Sequence, residues 1–114
     1  MSKVTSVCPD YSGSLSIDQN LMEAAGILHH EKILVGNIAN GERFETYCIP
    51  ADHGSGEIGL NGAAAHKGKP GDPLVIMTFI NLNPEEAAVW EPRLVLVSNN
   101  NQNFDLVSSP NSKI

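Results

Sequence analysis

A small closed β-barrel carrying short helices is the fold this sequence predicts, and three observations predict it. Apolar stretches are short, alternate in polarity and are punctuated by Gly, Pro and Asn-Gly, the pattern of short strands. The hydrophobic fraction is 41% but the aromatic fraction only 5%, so the core must be aliphatic. A small helix, a turn and an apolar strand occur at Leu21 to Ile38 and again at Asn61 to Ile80, as if two related halves were interleaved. Closure of such short strands into a barrel removes the edges they would otherwise expose. A chain of 114 residues supports one domain, placed at 1–98, with a polar tail at 99–114 expected to be disordered.

Along the chain, Met1 to Asp10 is polar apart from Val4 and Val7. Tyr11 to Ile17 then alternates as a strand does, with Leu15 and Ile17 to one side and Ser14 and Ser16 to the other. Asp18 is a good N-cap for a short helix with the apolar stripe Leu21, Ala24, Ala25 and Leu28, and Gly26 is placed to end it. Ile33 to Ile38 reads as a strand, Asn40-Gly41 as a two-residue hairpin turn, and Arg43 to Ile49 as the return strand, stopped by Pro50. A Gly-rich stretch, His53 to Gly56, leads into Ile58-Gly59-Leu60 and a one- to two-turn helix that Asn61 can cap. Pro73 opens the apolar run Leu74 to Ile80, Pro84-Glu85-Glu86 begins a helix, and Arg93 to Val97 is the last strand. The count is six or seven strands and two or three helices.

Several function classes are excluded at this level. Net charge is −6, from 13 acidic and 7 basic residues, with no Lys/Arg cluster to contact nucleic acid. No apolar stretch approaches the ~20 residues of a membrane span, so a soluble, cytoplasmic chain is expected. Cys8 and Cys48 are isolated and read as reduced thiols. His29, His30, His53 and His66 lack zinc-ligand spacing, so no metal is expected. Gly54-Ser55-Gly56 is no phosphate loop, and a serine-hydrolase elbow is missing.

Three blocks carry a resemblance. Tyr11-Ser12-Gly13-Ser14 is followed by Asn40-Gly41-Glu42-Arg43-Phe44-Glu45-Thr46-Tyr47, which resembles the "NG-x-R-x-x-TY" block of pyruvoyl-dependent aspartate α-decarboxylases. Gly54 to His66 resembles that family's "RGSG-x-I-x-x-NGAAAH" block, with His53 where Arg is usual. Order and spacing of the blocks match, and the similarity runs from about Lys3 to Val97.

The resemblance implies a six-stranded double-psi β-barrel assembled as a homotetramer with active sites between subunits. It implies a precursor that cuts itself between Gly13 and Ser14, giving chains 1–13 and 14–114, with or without a maturation factor. Ser14 is thereby expected to become a covalent pyruvoyl group that holds the substrate amine as a Schiff base, with no metal involved. Gly13 and Ser14 suit this, since the cut needs a hydroxyl downstream and an unhindered, flexible backbone upstream. By the same resemblance Arg43 clamps the carboxylate of L-aspartate, Tyr47 donates the proton, and Thr46 assists self-cleavage. Asn61, Gly62, Ala63 and Ala64 shape the pocket. The product the resemblance implies is β-alanine, for pantothenate and coenzyme A synthesis. In a regular strand Arg43 and Tyr47 share a face about 13 Å apart at ~3.3 Å per residue, whereas Thr46 faces the other way.

Two departures from the family pattern define the rival reading. The family's upstream strand, with a Lys and a His-Arg pair, precedes the segment matching Lys3-Val4-Thr5, and Gly36 stands where many relatives carry a large aromatic. The rival is a divergent paralogue, either acting on another small amino acid or uncut and non-catalytic.

Overall fold

The computed structural model describes residues 1–107. Its strands are β1 (Ser2–Lys3), β2 (Ser6–Cys8), β3 (Ser14–Asp18), β4 (Lys32–Asn37), β5 (Arg43–Ala51), β6 (Ile58–Asn61), β7 (Pro73–Met77), β8 (Leu94–Ser98) and β9 (Asn103–Val107). Between them lie the helices α1 (Gln19–Ala25) and α2 (Pro84–Val89) and a 3-10 helix, Gly62–Lys67.

The first seven strands form one curled sheet in the order β1-β7-β4-β5-β3-β6-β2, and β8 and β9 form a separate hairpin. The interleaving read from the sequence is visible in the pairings. β3 and β6 are antiparallel neighbours, and each leads through a short helix into β4 or β7, which are also antiparallel neighbours. The parallel pairs β2–β6 and β3–β5 flank the β3–β6 pair. This mainly β arrangement with short helices is consistent with a double-psi β-barrel. Its two end strands, β1 and β2, are stretches of one bent segment, Ser2 to Cys8, whose Val4 and Thr5 amides donate to Asp72 O and Ile58 O. The N-terminal segment therefore touches both ends of the sheet.

The core is aliphatic, as the composition requires: Leu15, Ile17, Ile33, Val35, Ile58 and Leu60 are all at most 2% exposed. At about 1.5–3 kcal/mol per buried side chain, these few residues outweigh every surface contact in the molecule. Between α1, β7 and β8 the aliphatic packing leaves a cavity of about 500 Å³.

Local structure departs from the sequence reading where long-range pairing overrides short-range pattern. The Asn40-Gly41 hairpin is not a two-residue turn: Asn37 O accepts from Gly41 N and Glu42 O from Asn37 N, with only Gly41 at positive φ. Pro50 does not stop β5, because β4 begins opposite Tyr47 and Pro50 has a ladder partner only in β3, at Ile17. The strand expected to reach Ile80 ends at Met77. Gly26 ends α1 in the left-handed conformation, and Leu28, beyond it, is exposed rather than part of the buried stripe. The tail expected to be disordered from Asn99 instead makes a turn and β9; residues 108–114 lie outside the described range. Asn99, Asn100 and Asn101 all have positive φ, which Asn tolerates. The buried Asn101 ties the turn to the rest of the fold through Lys3 N, Lys3 O and Gly56 O.

Two buried carboxylates hold the loops. Asp72 accepts from Lys69 Nζ and Asn37 Nδ2, and these bonds hold its pKa down at about 2. Asp18, 2% exposed, caps α1 through Asn20 N and also accepts from Gly54 N and Gly56 N, so one side chain fixes the Gly-rich loop to the end of β3. Asp18→Ala removes the acceptor of three amides, each costing about 1–3 kcal/mol if left unpaired. Urea unfolding should show a loss of at least about 3 kcal/mol with an unchanged slope. A loss under about 1 kcal/mol would mean that water satisfies the loop amides instead.

Candidate active site

Ser14 opens β3 and is fully buried, although hydroxyls seldom are. Its partner is on the neighbouring strand. Antiparallel pairing sets Ser14 opposite Asn61, and Asn61 Nδ2 donates to Ser14 Oγ at 2.9 Å. The same nitrogen donates to Ser16 Oγ, also at 2.9 Å. Asn61 was expected to cap the helix that follows; its side chain makes no cap bond, and its Nδ2 instead donates both N–H groups to β3. Ser14 Oγ also lies 3.5 Å from Ser12 O, a long approach for a hydrogen bond.

Gly62 begins the 3-10 helix against the segment that leads into Ser14. Its φ is +64°, and a Cβ there would stand 2.6 Å from Gly13 N, 2.7 Å from Gly13 Cα and 2.7 Å from Tyr11 O. The helix backbone and the Tyr11–Gly13 segment are therefore in contact only because position 62 has no side chain. Gly13 itself has open space on its Cβ side and is not among the positive-φ glycines. The conformational demand that the sequence reading put on Gly13 falls on Gly62. Of the small residues that follow, Ala64 is buried and Ala63 exposed.

The remaining residues lie on β5, whose exposure alternates regularly from Arg43 to Cys48. Arg43 and Tyr47 are exposed on one face, and Thr46 is half-buried on the other beside Ile33 in register. No bulge brings Thr46 and Tyr47 to one side. Leu15 pairs with Cys48, so one step back along that parallel register Tyr47 stands beside Ser14. Arg43 is four residues further along β5, paired with Gly36, whose Cβ side is open. Within a single chain, then, Gly13, Ser14, Asn61 and Gly62 are together, Tyr47 is on the adjacent strand, and Arg43 is at the far end. The cavity beside α1 is lined by Ile17, Leu21, Ile76 and Leu96 and by none of these residues.

Two neighbours were not singled out from the sequence. His30 has its ring centroid 6.1 Å from that of Tyr47. Ser16 joins Ser14 through Asn61. No spacing rule points to His30, since the pairing of β4 with β5 is what brings it near. Ser16 was legible only as sharing a strand face with Ser14. Cys48, buried with its thiol donating to Leu28 O at 3.1 Å, has its pKa pushed up by burial and is unsuited to nucleophilic chemistry.

Comparison with known proteins places this chain in a family. The family model described as aspartate decarboxylase matches residues 1–104. An aspartate 1-decarboxylase of Neisseria meningitidis is 47% identical over 105 residues, covering 92% of this chain and 83% of its own. One from Thioalkalivibrio sulfidiphilus is 53% identical over 93 residues, 82% of this chain and 74% of its own. One from Caldicellulosiruptor saccharolyticus is 52% identical over 99 residues, 87% and 77% respectively. The chain belongs to the aspartate decarboxylase family.

His53, read from the sequence as standing where the resembling block has Arg, has a local partner in this aspartate decarboxylase family member. Its Nε2 lies 2.6 Å from Glu23 Oε2 on α1, so the side chain is engaged by the helix rather than by the Ser14 region. The Gly62 contact gives the sharpest test of the site's construction. Gly62→Ala should cost at least about 2 kcal/mol more than Gly41→Ala, since both carry the left-handed penalty of about 1–2 kcal/mol but only Gly62 meets other backbone. Equal losses in urea unfolding would show that the Tyr11–Gly13 segment does not rest on Gly62.

Proposed function

We propose that the chain is a precursor that cuts itself between Gly13 and Ser14 and then decarboxylates L-aspartate to β-alanine and carbon dioxide. The observation that carries this reading is the buried Ser14 hydroxyl, held at 2.9 Å by Asn61 directly after a glycine, in a chain of this family. The same geometry fits a pyruvoyl group derived from Ser14: an amide donor lies at the reacting position, and no side chain at 13 or 62 crowds it.

In the self-cleavage, Ser14 Oγ attacks the Gly13 carbonyl carbon. The Gly13–Ser14 C–N bond breaks as an ester forms, and the Ser14 nitrogen takes up the hydroxyl proton. Loss of the Ser14 Cα proton with rupture of Cβ–Oγ releases residues 1–13 as a carboxylate. Water then replaces the nitrogen, which leaves as ammonia. Asn61 acts twice: its N–H fixes the Ser14 rotamer before attack, and it faces the oxygen on which negative charge develops at elimination. Thr46 is assigned an assisting role in this cut.

The pyruvoyl group supplies an electrophilic carbonyl for the substrate amine and an electron sink for decarboxylation. The surrounding residues bind and orient. Arg43 holds the substrate carboxylate through its bidentate fork. The Tyr47 phenol returns the proton to carbon. The backbone at Asn61, Gly62, Ala63 and Ala64 lines the pocket. Arg43 and Tyr47 are on the exposed face of β5, with Phe79 and Ile80 also exposed at 74% and 58%. That exposure supports a homotetramer in which the exposed face of β5 meets a neighbouring subunit and the sites lie between chains. Its place is the cytoplasm, feeding pantothenate and coenzyme A synthesis; among the described residues no helix is long and apolar enough to cross a membrane.

Turnover of aspartate, read as β-alanine formed, tests the reading. The parent chain should form β-alanine and Ser14→Ala none. A parent chain that forms none after prolonged incubation, alone and with cell extract as a source of maturation factor, would overturn the assignment. Arg43→Lys keeps the charge but loses the fork, so kcat/KM for aspartate should fall about ten- to a hundredfold, from charge-assisted bonds of about 1.5–3 kcal/mol. A parental value for Arg43→Lys would place the carboxylate elsewhere.

A further inference from the structure

We infer that Ser16 is a positioning residue for self-cleavage, acting on Ser14 through Asn61; this rests on the reading of Ser14 as the attacking group. The carboxamide nitrogen of Asn61 has two N–H groups and no others to give. One goes to Ser14 Oγ and one to Ser16 Oγ, both at 2.9 Å. A side-chain amide bound at one N–H alone can rotate about χ2, a broad torsion. Bound at both, it is fixed in one plane. Ser16 therefore sets the direction from which Asn61 addresses Ser14.

The surroundings favour that role over a merely structural one. Ser16 is 7% exposed and Asn61 7% exposed, so water is poorly placed to substitute for either partner. Gly59 pairs with Ser16 across the β3–β6 ladder, and a Cβ at 59 would stand 3.4 Å from Ser16 Cβ and 2.9 Å from Ser6 Oγ. The space above Ser16 is kept open by a glycine, which leaves its hydroxyl free to face Asn61. Ser14 and Ser16 occupy the same face of β3, two residues apart, and Asn61 lies opposite Ser14 on β6, so the strand register itself presents both hydroxyls to one amide. An aliphatic residue at 16 would leave one N–H of a buried amide unpaired, free to turn Asn61 away from Ser14.

Two consequences follow for the cut. Before attack, a fixed Asn61 holds Ser14 Oγ in one rotamer. At elimination, Oγ leaves carbon as an oxygen of the Gly13 carboxylate, and the same N–H is already aimed at the atom that gains charge. Without Ser16 both effects weaken, although every group in the bond-making steps is still present.

The test follows cutting in chains made by cell-free synthesis, with intact mass giving the uncut fraction over time. Ser16→Ala should cut about three- to tenfold more slowly than the parent, the worth of one neutral hydrogen bond. Asn61→Ala should be slower by at least as much, and Ser16→Ala added to Asn61→Ala should slow it no further. Ser16→Thr, which restores the hydroxyl, should recover most of the rate. Parental cutting by Ser16→Ala, or additive slowing in the double variant, overturns the role of Ser16 and leaves that of Ser14 intact. A parent chain that stays whole overturns the reading of Ser14 itself. Urea unfolding of Ser14→Ala chains with and without Ser16→Ala separates loss of fold: a collapsed midpoint that accompanies slow cutting, unrelieved by Ser16→Thr, also counts against positioning.

Discussion

Everything proposed for this chain depends on how closely two backbones approach at Gly62. The 3-10 helix could not lie against the Tyr11–Gly13 segment with any side chain at position 62, because a Cβ there would come within 2.7 Å of three of its backbone atoms. That approach fixes the end of β6, and Asn61 sits at that end, opposite Ser14. One contact without a side chain thus decides where an amide donor meets a hydroxyl. The antiparallel register supplies the rest, aligning Ser14 with Asn61 and Ser16 with Gly59.

β3 is buried on both faces for different reasons. Leu15 and Ile17 enter the aliphatic core, whose burial stabilises the curled sheet in proportion to area. Ser14, Ser16 and Asp18 face the other way and are buried too, a costly arrangement unless each finds a partner. Each does: Asn61 serves the two serines, and Asp18 takes the amides of Asn20, Gly54 and Gly56. The polar face of one strand is thereby coupled to the Gly-rich loop and to the Asn61-Gly62 junction. A loop held in this way fixes the position of the backbone at Ser14 without a large pocket around it.

Much of the fold was legible because it follows from local chemistry: the cap at Asp18, the stop at Gly26, the strand alternation of Leu15 and Ile17, and the aliphatic core. What was not legible is decided by distant partners. Pro50 is tolerated because the β4–β5 pairing stops at Tyr47, the Asn40-Gly41 turn is set by the β4–β5 register, and the turn before β9 is tied to Lys3 and Gly56 by Asn101. At the site, Gly13 and Ser14 were visible as a pair and Asn61 as part of a block, but its two bonds to β3 were not. A residue that can cap a helix from its own sequence neighbourhood is drawn instead to hydroxyls forty-five and forty-seven positions away. Arg43 was correctly placed on one face with Tyr47, four residues away along β5.

The central claim is that Ser14 is consumed by the cut, and that its carbons become a carbonyl at a new chain end. The direct measurement is to treat the purified protein with a hydrazide probe and locate the label by tandem mass spectrometry. The account predicts a label on the first residue of the fragment comprising residues 14–114. A fragment that begins with an unmodified serine and a free amine would show ordinary hydrolysis and contradict it, as would an uncut chain without label.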